Sequence, residues 1–206
     1  MKPTLILTVI ILLLACSTTY AQVFYQYPGA PTVEPKHVDV GTYLSGGDDL
    51  FRWGGYGRIG IARYWDVGIE GLVESFSSDW RGGLGGDIRY QLLPTTDKLP
   101  FDLSADAGFG FASGNGVTIY QAPLGAVISS PLKTENGTVI TPYLGVYAAF
   151  VRTKIEVSGA SDVTDTDVEA LLRGGASIRF GEQLEIFGTL QLGPNDSVSI
   201  GANFHL

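Results

Sequence analysis

The stretch that decides the fold is the end of the chain, VSIGANFHL at residues 198–206. Apolar and polar residues alternate at every position of this stretch. The apolar face carries Val198, Ile200, Ala202, Phe204 and Leu206, and the other face carries Ser199, Gly201, Asn203 and His205. Because successive side chains of a β-strand point to opposite faces, the pattern predicts a strand with one apolar and one small or polar face.

The same alternation recurs upstream, in runs of about 9 to 14 residues, the length of a tilted membrane strand. Turn signals separate the runs, among them the Asn136-Gly137 pair, which suits a tight hairpin. The predicted strands are 38–45, 52–63, 67–77, 80–92, 101–112, 117–129, 138–157, 168–180, 184–192 and 198–206. The sequence therefore predicts an all-β protein, a closed antiparallel up-and-down barrel of about ten strands, with eight or twelve as alternatives.

The polar faces of the runs distinguish a transmembrane barrel from a soluble one. In the run 80–92 this face combines Arg81, Asp87 and Arg89 with glycines, as suits a crowded interior where charges pair. After residue 21 the only lysines are Lys36, Lys98, Lys133 and Lys154, which all fall in turns, the leader or a strand tip. A lysine facing lipid at the bilayer midplane costs about 2 to 4 kcal/mol, so its absence there favours apolar faces turned toward lipid.

Aromatic residues cluster near the ends of the predicted strands. Interfacial girdles would explain the clustering, although aromatic residues favour strands in general. The candidate girdle residues are Trp53, Tyr64, Trp65, Trp80, Tyr90, Phe101, Tyr143, Phe150, Phe180 and Phe204.

The beginning of the chain predicts export. Lys2, the apolar residues 5–14 and the small residues near Ala21 form a secretory signal peptide over residues 1–21. The proline-containing residues 22–36 are predicted to form a periplasmic leader, and residues 37–206 the barrel. In an alternative reading, residues 13–16 resemble a bacterial lipobox, in which Cys16 would be lipidated rather than removed with the signal peptide.

The charge of the chain excludes one class of partner. Without Lys2 the chain keeps 12 basic and 21 acidic side chains, a formal net charge of −9. Nucleic acids select basic surfaces, so no nucleic-acid partner is predicted. If Cys16 is removed, disulfides and cysteine-based metal sites are excluded as well.

The signal peptide, the alternating strands and the ending Phe204-His205-Leu206 resemble the small bacterial outer-membrane β-barrel superfamily. The resemblance implies the cell outer membrane as location, with outer-membrane lipid, lipopolysaccharide and the barrel assembly machinery as partners; it leaves the oligomeric state open. Members of this superfamily usually end in an aromatic residue that the assembly machinery recognises. Here Phe204 and Leu206 are the candidate assembly signal, with the aromatic residue two positions before the end.

The predicted inward faces carry ionisable side chains that form a candidate lumen charge network. One interpretation is a set of salt bridges that fills the lumen, and the other is a charged lining for a narrow conduction path. The predicted network consists of Asp39, Arg58, Glu70, Glu74, Arg81, Asp87, Arg89, Asp102, Asp106, Glu169, Arg173, Arg179 and Glu185.

Metal binding and catalysis have weak signals in this sequence. Asp162, Asp165 and Asp167 could supply oxygen ligands, but the spacing of a calcium-binding EF-hand loop is missing, so no metal and no cofactor are predicted. The only histidines are His37 and His205, and no Gly-x-Ser-x-Gly nucleophile motif is present. The sequence thus predicts a non-enzymatic integral outer-membrane barrel with a structural or envelope-organising role; the alternative is a small passive pore or transporter for ions or small solutes.

Overall fold

Strands account for the regular structure of the described chain. The computed structural model describes residues 27–47, 50–76, 79–156, 161–193 and 196–206. Within these ranges no helix is long and apolar enough to cross a bilayer. The predicted signal peptide, with Cys16, lies outside them. In chain order the strands are β1 (Val38–Gly47), β2 (Leu50–Ala62), β3 (Trp65–Phe76), β4 (Asp79–Leu93), β5 (Asp102–Gly114), β6 (Val117–Ser129), β7 (Leu132–Lys133), β8 (Val139–Ile155), β9 (Val163–Phe180), β10 (Leu184–Leu192) and β11 (Ser197–His205).

Ten of these strands close into a barrel. Each long strand pairs antiparallel with its sequence neighbours, and β1 pairs with β11 to close the sheet. β6 pairs directly with β8, while the two-residue strand β7 pairs with β8 in the connection between them. The closed all-antiparallel barrel of ten strands predicted from the sequence is confirmed, in place of the alternatives of eight or twelve.

The two openings of the barrel differ. At the opening that we call the terminal mouth, β1 begins and β11 ends, and Asp39 pairs with His205 across the closure. At the opposite opening, the hairpin mouth, β8 and β9 extend beyond their neighbours and residues 163–168 are exposed on both faces. The sequence predicts no strand between 138–157 and 168–180, only a loop over 158–167. This is wrong from residue 163 onward, because antiparallel pairing continues where neither face of the hairpin is covered.

The barrel is apolar outside and charged inside. On the outer face Ile69, Leu124 and Val198 are 73%, 63% and 64% exposed, whereas the inward-pointing Arg52 and Glu74 are 1% and 0% exposed. A soluble barrel has the opposite arrangement. In lipid, closure also gives every strand two partners, so no sheet edge is left unpaired in the hydrocarbon. The exposed apolar surface of this fold is therefore a lipid-facing surface.

Aromatic rings opposite glycines fill much of the lumen. Tyr43 lies across from Gly54 and Phe187 across from Gly201, and a Cβ atom at either glycine would overlap the opposing ring. Tyr143, predicted for an interfacial girdle, also turns inward and contacts Thr189 through its hydroxyl. Glycine on the inward face thus makes room for rings to lie against the barrel wall.

Aromatic residues on the outer face lie near both mouths. Trp65 and Tyr90 stack with ring centroids 4.5 Å apart near the terminal mouth. Trp53 and Trp80 are 58% and 55% exposed near the hairpin mouth. These are the depths at which aromatic side chains meet lipid headgroups.

Candidate functional site

The lumen charge network is the most distinctive chemical feature of the barrel. Of the thirteen residues predicted for it, Arg179 is exposed and lies at the terminal mouth, and the Asp87 side chain is 5% exposed. The remaining eleven are buried, namely Asp39, Arg58, Glu70, Glu74, Arg81, Arg89, Asp102, Asp106, Glu169, Arg173 and Glu185.

Two further charged residues belong to the same interior. Arg52 and Asp66 are 1% and 0% exposed. Arg52 could have been found from the sequence, because it lies six positions before Arg58 on the same predicted face. Asp66 could not, because the sequence placed it in a tight turn; the turn lies at Arg63-Tyr64 instead, and Asp66 is already in β3.

Arg58 joins three strands near the terminal mouth. Its guanidinium contacts Asp66 on β3 and lies 2.6 Å from the Asp87 carboxylate on β4. Arg89 on β4 pairs with Asp106 on β5, with the Nε–Oδ1 and Nη2–Oδ2 atoms 2.6 and 3.1 Å apart. All three pairs are charge-assisted hydrogen bonds, the stronger class in proteins.

A second group of charges lies toward the hairpin mouth. Arg52 donates through Nε to Glu74 at 3.2 Å, and the Arg81 Nε lies 3.5 Å from the other oxygen of Glu74. Tyr43 donates its hydroxyl hydrogen to Glu70. Strands β2, β3 and β4 are thus linked through the lumen as well as through their backbones, which opposes any widening of this wall.

The segment before β1 enters the lumen. Residues 27–36, which we call the plug segment, were predicted as part of a periplasmic leader. In the structure Ala30 and Val33 are 0% and 5% exposed inside the terminal mouth. The chain turns back at Lys36, where φ is 73° and the Lys36 N–H donates to the Gly60 carbonyl.

Hydrogen bonds hold the plug segment to four strands. Its backbone N–H groups donate from Val33 to Asp66 on β3 at 2.8 Å and from Ala30 to Ser129 on β6 at 3.0 Å. Thr32 donates its hydroxyl to Gln91 on β4 at 3.0 Å, and Ser104 on β5 donates to the Ala30 carbonyl. The plug segment is therefore bound by lumen side chains around much of the barrel wall.

Tyr27 anchors the inner end of the plug segment. The guanidinium carbons of Arg58 and Arg89 each lie 4.9 Å from the centre of its ring. Its hydroxyl donates to Asp39 at 2.5 Å. Burial, with the Asp39 and Glu185 charges, raises the pKa of Tyr27 well above its usual value, so the hydroxyl stays a donor. Tyr27 thereby covers two arginines that would otherwise face the open lumen.

Apolar side chains fill the lumen beside β6, β8 and β9. Ile119, Val127, Val151 and Leu171 are all buried there, and Ala30 of the plug segment belongs to the same cluster. Tyr147 joins this cluster and donates its hydroxyl to Asp106 at 3.1 Å. Glu169 and Arg173 of β9 are buried beside these apolar side chains, whereas the ion pairs described above lie on β2 to β5.

Carboxylates outnumber arginines in the described part of the lumen. Five arginines are buried, namely Arg52, Arg58, Arg81, Arg89 and Arg173. Nine carboxylates share the interior, namely Asp39, Asp66, Glu70, Glu74, Asp87, Asp102, Asp106, Glu169 and Glu185. The field inside the barrel therefore favours cations over anions.

A pocket of about 450 Å³ opens at the terminal mouth. His205 lies against it, with its Nδ1 2.9 Å from an Asp39 oxygen and its Nε2 3.5 Å from a Glu185 oxygen. His37, Arg179, Glu182 and residues of the plug segment also line it. Closure of β1 on β11 brings the two sequence-distant residues His205 and Asp39 together.

The three aspartates considered for metal binding have other partners. Asp162 lies 2.9 Å from the Lys154 Nζ at the tip of the β8–β9 hairpin. Asp165 and Asp167 are on β9, and each accepts the N–H of the residue that follows it, at 2.9 and 2.7 Å. Across the described ranges, no three histidine, cysteine or acidic side chains group so that they could hold a metal ion.

The candidate assembly signal lies on the outer face of the terminal mouth. Phe204 and Leu206 are 48% and 68% exposed. Leu206 exchanges backbone hydrogen bonds with Val38 at 2.8 and 3.1 Å. Both side chains are thus accessible from outside the barrel.

No protein-family model and no curated protein matches the chain. Among solved structures, the chain is similar to a bacterial polysaccharide outer membrane secretin, with a TM-score of 0.48 and 11% identity over 76% of this chain and 57% of that chain. It thus spans little more than half of the secretin chain.

Two smaller barrels match as well. The N-terminal β-barrel domain of Pseudomonas aeruginosa OprF has a TM-score of 0.39 and 11% identity, over 84% of this chain and 98% of that chain. The KdgM porin has a TM-score of 0.41 and 10% identity, over 82% of this chain and 98% of that chain.

The distribution of side chains decides the class of protein. An apolar band outside, aromatic residues near both mouths and buried charges inside are the features of an outer-membrane barrel. The chain is a β-barrel of the outer-membrane type. Its lumen contains a buried network of charged residues.

Proposed function

We propose that the protein is a non-enzymatic outer-membrane barrel with a structural or envelope-organising role, and that the plug segment seals its lumen. The observation that carries this proposal is the position of Tyr27, held between Arg58 and Arg89 and bound to Asp39. Ion pairs among β2 to β5 and apolar packing beside β6, β8 and β9 support it. A narrow interior filled in this way leaves no wide aqueous channel.

The terminal pocket does not favour catalysis. Both ring nitrogens of His205 face carboxylates, so neither is directed at a nucleophile. The two hydroxyls of the described chain that contact these carboxylates, those of Ser177 and Tyr27, donate to Glu185 and Asp39 at 2.5 Å each and not to a histidine. A hydrolase triad needs a base that contacts its nucleophile, and this arrangement supports a structural role for the pair.

Conductance in planar bilayers tests the seal. We expect the full-length chain to show no openings at any voltage, and a steady ion-selective current would overturn the proposal. Gly60→Val should release the plug segment, because a side chain at Gly60 would overlap the backbone of Glu34. Gly57→Val is the matched control, since a Cβ atom there meets no atom within 4 Å. If the plug segment seals the lumen, Gly60→Val conducts and Gly57→Val does not.

A second candidate function is a narrow passive pore for cations, which the excess of lumen carboxylates favours. In this case the full-length chain itself conducts. The reversal potential in a gradient of potassium chloride separates the possibilities, because a carboxylate-lined path passes potassium ahead of chloride. An anion-selective current would contradict the pore as proposed.

We also propose outer-membrane lipid, lipopolysaccharide and the barrel assembly machinery as partners, with Phe204 and Leu206 as the assembly signal. Phe204→Ala should slow assembly into membranes that contain the machinery. Ile200→Ala is the control, because Ile200 is 61% exposed on the same face of β11. Equal assembly rates for the two variants would contradict a specific role for Phe204.

A further inference from the structure

The outer face of the barrel carries a groove near the hairpin mouth. The groove has a volume of about 390 Å³, and Phe109 of β5, Tyr120 of β6 and Phe150 of β8 line it. Ala122 lies directly across from Phe150 in the β6–β8 pairing. A small residue between large rings leaves an apolar slot on the lipid-facing surface.

A free cation lies at the end of this slot. Arg152 lines the groove, is exposed, and pairs across the sheet with Tyr120. Among the described residues its side chain forms no ion pair or hydrogen bond. Lys154, the other cation of the groove, is already engaged by Asp162 at 2.9 Å and Glu156 at 3.5 Å. Arg152 is therefore the cation available to a ligand.

The surroundings of Arg152 change from apolar to polar along the barrel. Toward the hairpin mouth, the hydroxyls of Ser113 and Thr118 lie 2.9 Å apart. Thr166 of β9 lies directly across from Arg152 in the β8–β9 pairing. Toward the middle of the barrel, Leu124 is 63% exposed and faces lipid. Aromatic residues between such zones mark the depth of lipid headgroups, so Arg152 lies where phosphate groups are found.

We propose that this groove binds a lipid with an anionic phosphate headgroup. One acyl chain lies in the slot over Ala122, and the phosphate accepts hydrogen bonds from Arg152. A guanidinium can donate two parallel hydrogen bonds to a phosphate, which gives the contact directional preference as well as charge. The inference deepens the proposed lipid partnership; it depends on the barrel lying in lipid and not on whether the lumen is sealed.

Native mass spectrometry of the full-length chain in detergent tests the headgroup contact. The probes are phosphatidylglycerol and phosphatidylcholine with the same acyl chains. One arginine near a membrane surface contributes about fivefold in affinity for an anionic lipid, so we expect about fivefold tighter binding of phosphatidylglycerol. Arg152→Gln should abolish this preference. Arg63→Gln, which removes an exposed arginine at the terminal mouth, should retain it.

A second pair of variants tests the slot itself. Ala122→Phe fills the groove without changing any charge and should weaken phosphatidylglycerol binding. Ala126→Phe adds the same ring to the same outward face of β6, four residues away, and should leave binding unchanged. Migration of unheated samples in gel electrophoresis verifies that each variant is a folded barrel.

Two results would overturn the proposal: equal effects of Arg152→Gln and Arg63→Gln, or equal effects of the two phenylalanine variants. Either would show non-specific contact with surrounding lipid. A conducting lumen would contradict the proposed seal and leave this test unaffected.

Discussion

Arg89 offers the sharpest test of the lumen network, because its guanidinium joins the barrel wall to the plug segment. It binds both oxygens of Asp106, donates to the Gly29 carbonyl at 2.9 Å, and covers one face of Tyr27. Arg89→Met removes all three contacts at similar side-chain length. Asp106 would then remain buried with only the Tyr147 hydroxyl as a donor.

The expected loss follows from the buried charge that remains. Removing one partner of a buried ion pair costs about 3 to 5 kcal/mol, because the other charge stays desolvated. Asp106→Asn alone should have a comparable effect, since it leaves the Arg89 charge without its carboxylate. In the double variant both charges are gone and Tyr147 can still donate to the asparagine. We therefore expect the double variant to be no less stable than Arg89→Met alone. The coupling free energy between the two positions is then roughly 3 kcal/mol.

Denaturant unfolding from lipid vesicles measures these differences, and the three tryptophans of the chain report it by fluorescence. Arg63→Met is the control, because the Arg63 guanidinium lies at the surface, 4.8 Å from the Tyr64 ring; its loss should stay within about 0.5 kcal/mol. The reasoning fails if Arg89→Met costs less than about 1 kcal/mol, or if the losses of the single variants simply add in the double variant.

Two further predictions concern the two faces of the wall. Ile69→Lys places a charge on the lipid face in the middle of β3, where the side chain is 73% exposed. It should lower the free energy of unfolding in vesicles by about 2 to 4 kcal/mol. A loss below that of Arg63→Met would argue against a lipid-facing surface. Gly54→Val should prevent folding or destabilise the barrel strongly, because its Cβ atom would overlap the buried Tyr43 ring. Gly57→Val should have a smaller effect, because a Cβ atom at Gly57 has no atom within 4 Å. Equal unfolding midpoints for these two glycine variants would contradict the packing of rings on glycines.

Strand positions could be predicted from the sequence because lipid favours apolar side chains and the lumen favours polar or small ones, which therefore alternate along each strand. The predicted 117–129 and 184–192 agree with β6 and β10 at both ends. The agreement fails at β9, which begins at Val163 instead of residue 168. Beyond the membrane both faces of a hairpin meet water, so the alternation that reveals a strand disappears while its backbone pairing persists.

The side-chain contacts inside the lumen were harder to predict from the sequence. Alternation indicates that Arg58 points inward, but not that its neighbours are Asp66 and Asp87. Those contacts depend on the register between strands and on the curvature of the closed sheet. The ring-on-glycine pairs were missed for the same reason, since Phe187 and Gly201 become neighbours only through the β10–β11 register.

The plug segment shows how an irregular chain can enter a crowded lumen. Buried backbone donors need partners, and proline has none to satisfy. Pro28, Pro31 and Pro35 remove three N–H groups from this part of the chain. The N–H groups of Ala30 and Val33 meet Ser129 and Asp66, which the barrel supplies. From the sequence, the prolines indicated a periplasmic leader. The same prolines reduce the number of N–H groups that need partners inside the barrel, so they are compatible with a segment in the lumen as well.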